Sequence, residues 1–238
     1  MAAASLKSVP WRSRDALLVF LLPWVILPIA LIILLQLAAP YVPGVTQYLR
    51  ALSQNDPGAT FGLVIVDAIG SFAAIGYYLH KYGANLQTLG LRGFSPARAA
   101  LYLGLILISF TTLITLVYWL VQAIDPSFNA TQAQTNEFTG HASTISLLAL
   151  VIIPPFIEEP VFRGFMFPAF AKRYGVVTGA LISSALFGFA HLQGNISVYT
   201  FVLGLLLCWL YTRLGSIIPG IGLHMLNNYL AYVAMNHK

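Results

Sequence analysis

The sequence predicts an all-α fold, a polytopic membrane bundle of about seven transmembrane helices, with six to eight as the range. Three observations carry this. Of the 238 residues, 58% are hydrophobic and 8% are charged, against roughly a quarter charged in a soluble domain. The apolar residues fall into long runs without the alternation of barrel strands, and in lipid only helices and closed barrels satisfy their own backbone groups. The basic residues are scattered between those runs. The formal charge of +5 therefore reads as membrane topology and not as a nucleic-acid surface.

Met1 to Asp15 carries Lys7, Arg12 and Arg14 ahead of an apolar run from Ala16 to Ala39. That run is too long for a cleaved signal peptide and reads as a retained first helix. Further apolar runs extend from Phe61 to Tyr78, Ala99 to Ile124, Thr144 to Phe170, Val176 to Leu192, Val198 to Tyr211 and Ser216 to Ala234. With the N-terminus cytoplasmic, Lys7, Arg12, Arg14, Lys81, Arg92, Arg98, Lys172, Arg173 and Arg213 fall on the cytoplasmic side and only Arg50 and Lys238 fall opposite. The polar segment from Asp125 to Ala142 is then external. One integral domain, residues 1–238, is expected: three plain spans in 16–124 and a motif-bearing core in 144–235. The expected location is the plasma (inner) membrane of a prokaryote. Tyr77, Tyr78, Trp119, Trp209 and Tyr211 lie near span ends and read as interfacial anchors. Cys208 is alone inside an apolar run and reads as filler.

Ionisable groups at membrane depth are costly, and the last four runs concentrate them. Glu158 and Glu159 sit among Pro154, Pro155 and Pro160, which in a helix would deprive the carbonyls of Leu150, Val151 and Phe156 of their donors. Broken helix at this depth points to protein packing or a wet cavity. Glu159 and Arg163, at i and i+4, share a face and read as a brace, while Glu158 is turned about 100° away and is the candidate general base. A buried ion-pair cluster without chemistry is the plain alternative. His191 lies one turn after Phe187, and the stripe Ala180, Ser184, Gly188 would let another helix come close. His224 and Asn228, again at i and i+4, could donate to a developing oxyanion or serve as interhelical glue, with Asn227 as the neighbouring candidate. Asp67, within the second run, either supports the site or pairs locally.

Three motifs, Glu158-Glu159-x-x-x-Arg163-Gly164, Phe187-x-x-x-His191 and His224-x-x-x-Asn228, together resemble the CPBP family of intramembrane proteases, which includes the type II CAAX prenyl endopeptidases and the bacteriocin-processing and immunity proteins. The resemblance implies that Glu158 and His191 activate a water, that His224 and Asn228 stabilise the oxyanion, and that Glu159 and Arg163 support the site. Pro160, directly after the Glu pair, bears on their geometry.

The leading expectation is an intramembrane endopeptidase acting on a hydrophobic or lipidated (CAAX-like) peptide or protein, with a prenylated one among the candidates. No cofactor is firmly expected. Zinc could be held by Glu158, His191 and His224, which would make the enzyme a metalloendopeptidase, although no HExxH pair is present. The alternatives are a proton-coupled transporter with Glu158, His191 and Asp67 as a relay, and a non-catalytic scaffold or bacteriocin immunity protein. One tension stands out. His191 lies about sixteen residues, or about 24 Å, into its run, whereas His224 is near the start of its own.

Overall fold

The computed structural model describes residues 8–54, 56–127, 144–191 and 194–236. Most of the predicted external segment after Ser127 lies outside them, as does Leu192. Among the described residues there are eight helices and no strand. They are α1 (Ser13–Ala38), α2 (Val45–Ser53), α3 (Pro57–Lys81), α4 (Pro96–Ile124), α5 (Thr144–Tyr174), α6 (Val176–Ala190), α7 (Gly194–Leu214) and α8 (Ile218–Asn236).

All seven predicted runs are helical, and α2 is an addition. Among the described residues five helices are long and apolar enough to cross a membrane: α1, α3, α4, α5 and α7. The 15 residues of α6 span about 22 Å, short of a hydrocarbon core of about 30 Å. The polar groups of α8 dilute its hydropathy.

Helix starts follow local chemistry. Asp56 accepts from the amides of Gly58 (2.9 Å) and Ala59 (3.0 Å) with Pro57 behind it, and Ser95 caps α4 ahead of Pro96. At α1, the Arg12 amide donates to Asp15 Oδ2 at 2.8 Å, which places a carboxylate in the first turn, where the helix dipole favours it. Tyr82 donates to the same oxygen at 2.7 Å, and this bond pushes the Tyr82 hydroxyl above its ordinary value.

Three stretches are wound as π-helix: Leu22–Ile26 in α1, and Leu148–Ile152 and Glu159–Met166 in α5. Each has the same cause. The amide closing each stretch reaches back five residues: Leu27 to Leu22, Ile153 to Leu148 and Phe167 to Phe162. Each of those closing residues directly precedes a proline: Pro28, Pro154 and Pro168. Proline lacks the amide and its ring strikes the carbonyl four residues earlier, so widening the preceding turn relieves the clash.

α5 is the centre of the bundle, with 56% of its apolar window buried against 6% for α4. Phe162 meets Phe20, Trp24 and Phe187 edge-on at 5.8, 5.3 and 5.0 Å. α6 folds back along α5 so tightly that a Cβ on Gly179 would lie 2.5 Å from the Ala171 nitrogen. The predicted small-residue stripe faces α7: Ser184 lies against Gly204, and a Cβ on Gly188 would lie 2.6 Å from the Ser197 carbonyl oxygen. α4 packs on the bundle mainly through α7, with Tyr102 edge-on to Trp209.

One end of the bundle is tied by long-range bonds. Trp11 stacks on Phe165 at 4.3 Å and donates to its carbonyl at 2.9 Å. Lys172 Nζ donates to the Val9 carbonyl, Ser13 Oγ to that of Ala169 and Ser216 Oγ to that of Arg92. The segments bearing Arg12, Arg14, Lys81, Arg92, Lys172, Arg173 and Arg213 thus meet at one end, as the charge pattern predicts. The aromatic anchors divide. Tyr77 and Trp119 are exposed, whereas Tyr78 and Tyr211 are buried core residues; lying near a span end does not place a ring in the interface when another element packs over it.

Candidate active site

Glu158 closes a regular turn of α5 and Glu159 opens the π stretch. Four ionisable groups are buried here, two on the π stretch, one just before it and one on α8: Glu158 is 8% exposed, His224 2%, and Glu159 and Arg163 1% each. Glu159 Oε1 receives both Arg163 Nη1 and His224 Nδ1 at 3.0 Å. His224 Nε2 faces Glu158 Oε2 at 3.5 Å. The imidazole therefore spans the two carboxylates, one on each ring nitrogen. A proton on Nε2 or on Oε2 makes the second approach attractive. Gly220, one turn before His224, permits this closeness, since a Cβ there would sit 3.3 Å from Glu159 Oε2.

Glu159 and Arg163 form an ion pair, as their spacing predicts, though its atoms are not aligned as a hydrogen bond. The guanidinium is also held by an aromatic face, 4.1 Å from the centre of Phe187. Phe187 is the hub of the site. Its ring meets His191 edge-on at 5.0 Å and His224 at 5.6 Å, and so touches both histidines. His191 Nδ1 lies 2.9 Å from the Phe187 carbonyl oxygen. Donation there leaves Nε2 as the ring nitrogen with a free lone pair.

The depth mismatch between His191 and His224 disappears because α8 does not begin at the end of the bundle. The loop of residues 82–95 tucks under α5: Leu89 is buried, and a Cβ on Gly164 would lie 2.7 Å from its carbonyl oxygen. The Ile217 amide donates to the Gly90 carbonyl in the same loop at 3.0 Å, and the Ile217 side chain lies beside Gly164. α8 thus starts level with Gly164, ten residues inside α5 from Tyr174, or about 15 Å. Counted along the helix axes, Glu158, His191 and His224 then all lie at about 22 to 25 Å from the basic end. Neither the re-entrant loop nor the raised start of α8 has a sequence motif.

Asn228 has a defined partner. Its Nδ2 donates to the Leu150 carbonyl at 2.9 Å, one of the carbonyls the sequence marks as lacking a donor. Pro154 removes the α-helical donor to Leu150, and Pro155 the π-helical one. Asn227 donates to Asn228 Oδ1 at 3.2 Å and accepts from the Tyr199 hydroxyl. Asp67 is half-buried on α3, which packs on the first part of α5, and its carboxyl lies within electrostatic reach of Glu158. Cys208 is buried with Ser184 at 3.9 Å.

The zinc set anticipated from the sequence does not come together. Among the described residues no group of three His, Cys, Asp or Glu is placed to hold an ion. Both nitrogens of His224 face carboxylates, and the one short contact of a His191 ring nitrogen among the described residues is with the Phe187 carbonyl.

Residues 140–230, which contain all three motifs, match the family model described as type II CAAX prenyl endopeptidase Rce1-like. Over this segment the chain is similar to the type II CAAX prenyl endopeptidases. No curated protein and no solved structure gives a significant match. The matched segment runs from α5 into α8 and holds every residue of the buried cluster. Tyr199 and the Leu150 carbonyl also lie within it. The double proline signalled the carbonyl, but nothing in the sequence singled out the tyrosine.

Proposed function

We propose that the chain is an intramembrane endopeptidase in which Glu158 is the general base. Glu158 takes a proton from a water that attacks the scissile carbonyl, and gives it to the leaving amine as the C–N bond breaks. The observation that carries this reading is the line Arg163, Glu159, His224, Glu158. Glu159 holds one face of the imidazole, so that Nε2 points to the side where the Glu158 carboxyl lies. A carboxylate behind a histidine fixes its tautomer and orientation. His224 and the remaining Asn228 hydrogen are the donors assigned to the oxyanion, and His191 Nε2 is the second acceptor for the water. No step is routed through a metal.

The substrate assigned is a hydrophobic or prenylated peptide or protein, which the family match over residues 140–230 supports. The N-terminus and the basic end of the bundle are assigned to the cytoplasm.

The test is incubation of the detergent-purified protein with farnesylated and with unmodified CAAX-type peptides, with product masses recorded. Cleavage that vanishes in Glu158→Gln is expected. Folded wild type that releases no fragment from either peptide overturns the reading. If a chelator abolishes activity and zinc restores it, His224 is a metal ligand instead of an oxyanion donor.

A further inference from the structure

We propose that Tyr199 is a positioning residue for Asn228, acting through Asn227; the proposal rests on the protease reading. Four polar groups form a directional chain. The Tyr199 hydroxyl donates to Asn227 Oδ1, Asn227 Nδ2 donates to Asn228 Oδ1, and Asn228 Nδ2 donates to the Leu150 carbonyl. An amide has two acceptor sites on oxygen and two hydrogens on nitrogen. With Oδ1 occupied by Asn227 and one Nδ2 hydrogen fixed on Leu150, the Asn228 amide has a single orientation, and its second hydrogen is aimed by default. Flipping the amide would place Nδ2 against the Asn227 amide and Oδ1 against the Leu150 carbonyl, a repulsion at both ends.

The chain crosses three helices. Tyr199 is on α7, the two asparagines are on α8 and Leu150 is on α5, so it sets α8 against the broken part of α5. Tyr199 is itself braced from outside, with Phe110 of α4 meeting its ring edge-on at 5.2 Å. This gives the peripheral α4 a bearing on the site that it does not touch.

The experiment is a double-mutant cycle on Tyr199 and Asn228, read as kcat and KM on a cleaved peptide. Tyr199→Phe keeps the ring and its contact with Phe110 and removes only the hydroxyl. In the otherwise native chain it should lower kcat about tenfold with KM unchanged, because a donor turned out of line costs reaction rate more than binding. In the Asn228→Ala chain the same substitution should change kcat by less than about twofold. An equal loss in both chains, an unchanged kcat, or a loss confined to KM would overturn the proposal.

If Asn228→Ala turns over too slowly to measure, or the wild type cleaves nothing, the same cycle is read on the melting temperature in detergent. Wild type that cleaves nothing sinks the protease reading alone. A drop caused by Tyr199→Phe that vanishes in the Asn228→Ala chain then supports the network, and an equal drop in both chains overturns it.

Discussion

Glu158 and Glu159 are neighbours with the same chemistry and different surroundings, and replacing each by Gln separates their roles. Glu158 has one side-chain contact in the cluster, with His224, whereas Glu159 holds both Arg163 and His224. Glu158→Gln should leave melting in detergent near that of wild type while ending cleavage, since the amide keeps the shape but cannot take the proton. Glu159→Gln should lower stability by about 3–5 kcal/mol, because Arg163 is left buried without its counter-charge. Equal melting of Glu159→Gln and wild type would contradict the brace. The pairing of Glu159 with Arg163 was legible from their spacing of four. The contact of Glu159 with His224 was not, because it joins residues 65 positions apart and depends on where α8 begins.

At the scale of elements, the broken helix and the clip that mends it can be tested together. Asn228→Ala strips the Leu150 carbonyl of its donor, and a buried acceptor left unpaired costs about 1–3 kcal/mol. Pro154→Ala would return a backbone amide in register with that carbonyl. The stability cost of Asn228→Ala should therefore shrink by about 1 kcal/mol in the Pro154→Ala chain; an undiminished cost on chemical denaturation would mean that Asn228 stabilises by another route. Turnover should fall about a hundredfold or more in Asn228→Ala, as for the loss of an oxyanion donor. Gly164→Ala carries a separate expectation. Its Cβ would lie 2.7 Å from the Leu89 carbonyl oxygen, so the loop of residues 82–95 should be displaced and become more sensitive to protease. The prolines announced that α5 is irregular, but sequence could not show that its turns widen to π geometry instead of kinking. That choice depends on what packs around them. α2 was missed for another reason. Val45, Tyr48, Leu49 and Leu52 do recur at helical spacing, but nine residues interleaved with Thr46, Gln47 and Arg50 make no apolar run.

For the whole molecule, the charge pattern is the feature that sequence exposes best, because it needs no tertiary information. The segments assigned to one side do meet at one end, bonded to one another. Side-specific labelling reads out which compartment that end faces. The single native thiol, Cys208, is buried, so introduced cysteines report cleanly. Ser127→Cys, exposed at the far end of α4, should react with an impermeant maleimide added to intact cells, and Gln87→Cys, exposed in the loop at the basic end, should react only after lysis. The reverse pattern would invert the assigned topology.

The bonds between the first residues and α5 also order events during synthesis. Trp11, Ser13 and the Val9 carbonyl find partners 154, 156 and 163 positions later in the chain. When the ribosome has delivered α1, α3 and α4, Asp15 already has its partners in the Arg12 amide and Tyr82, but the indole of Trp11 has nothing to stack on. The early helices can meet through bonds such as that from Trp24 to Ser71, but the start of α1 lacks its partners until α5 arrives. The docking of Trp11 onto Phe165 is then a late event, one that reports that the motif-bearing half has entered the membrane and folded.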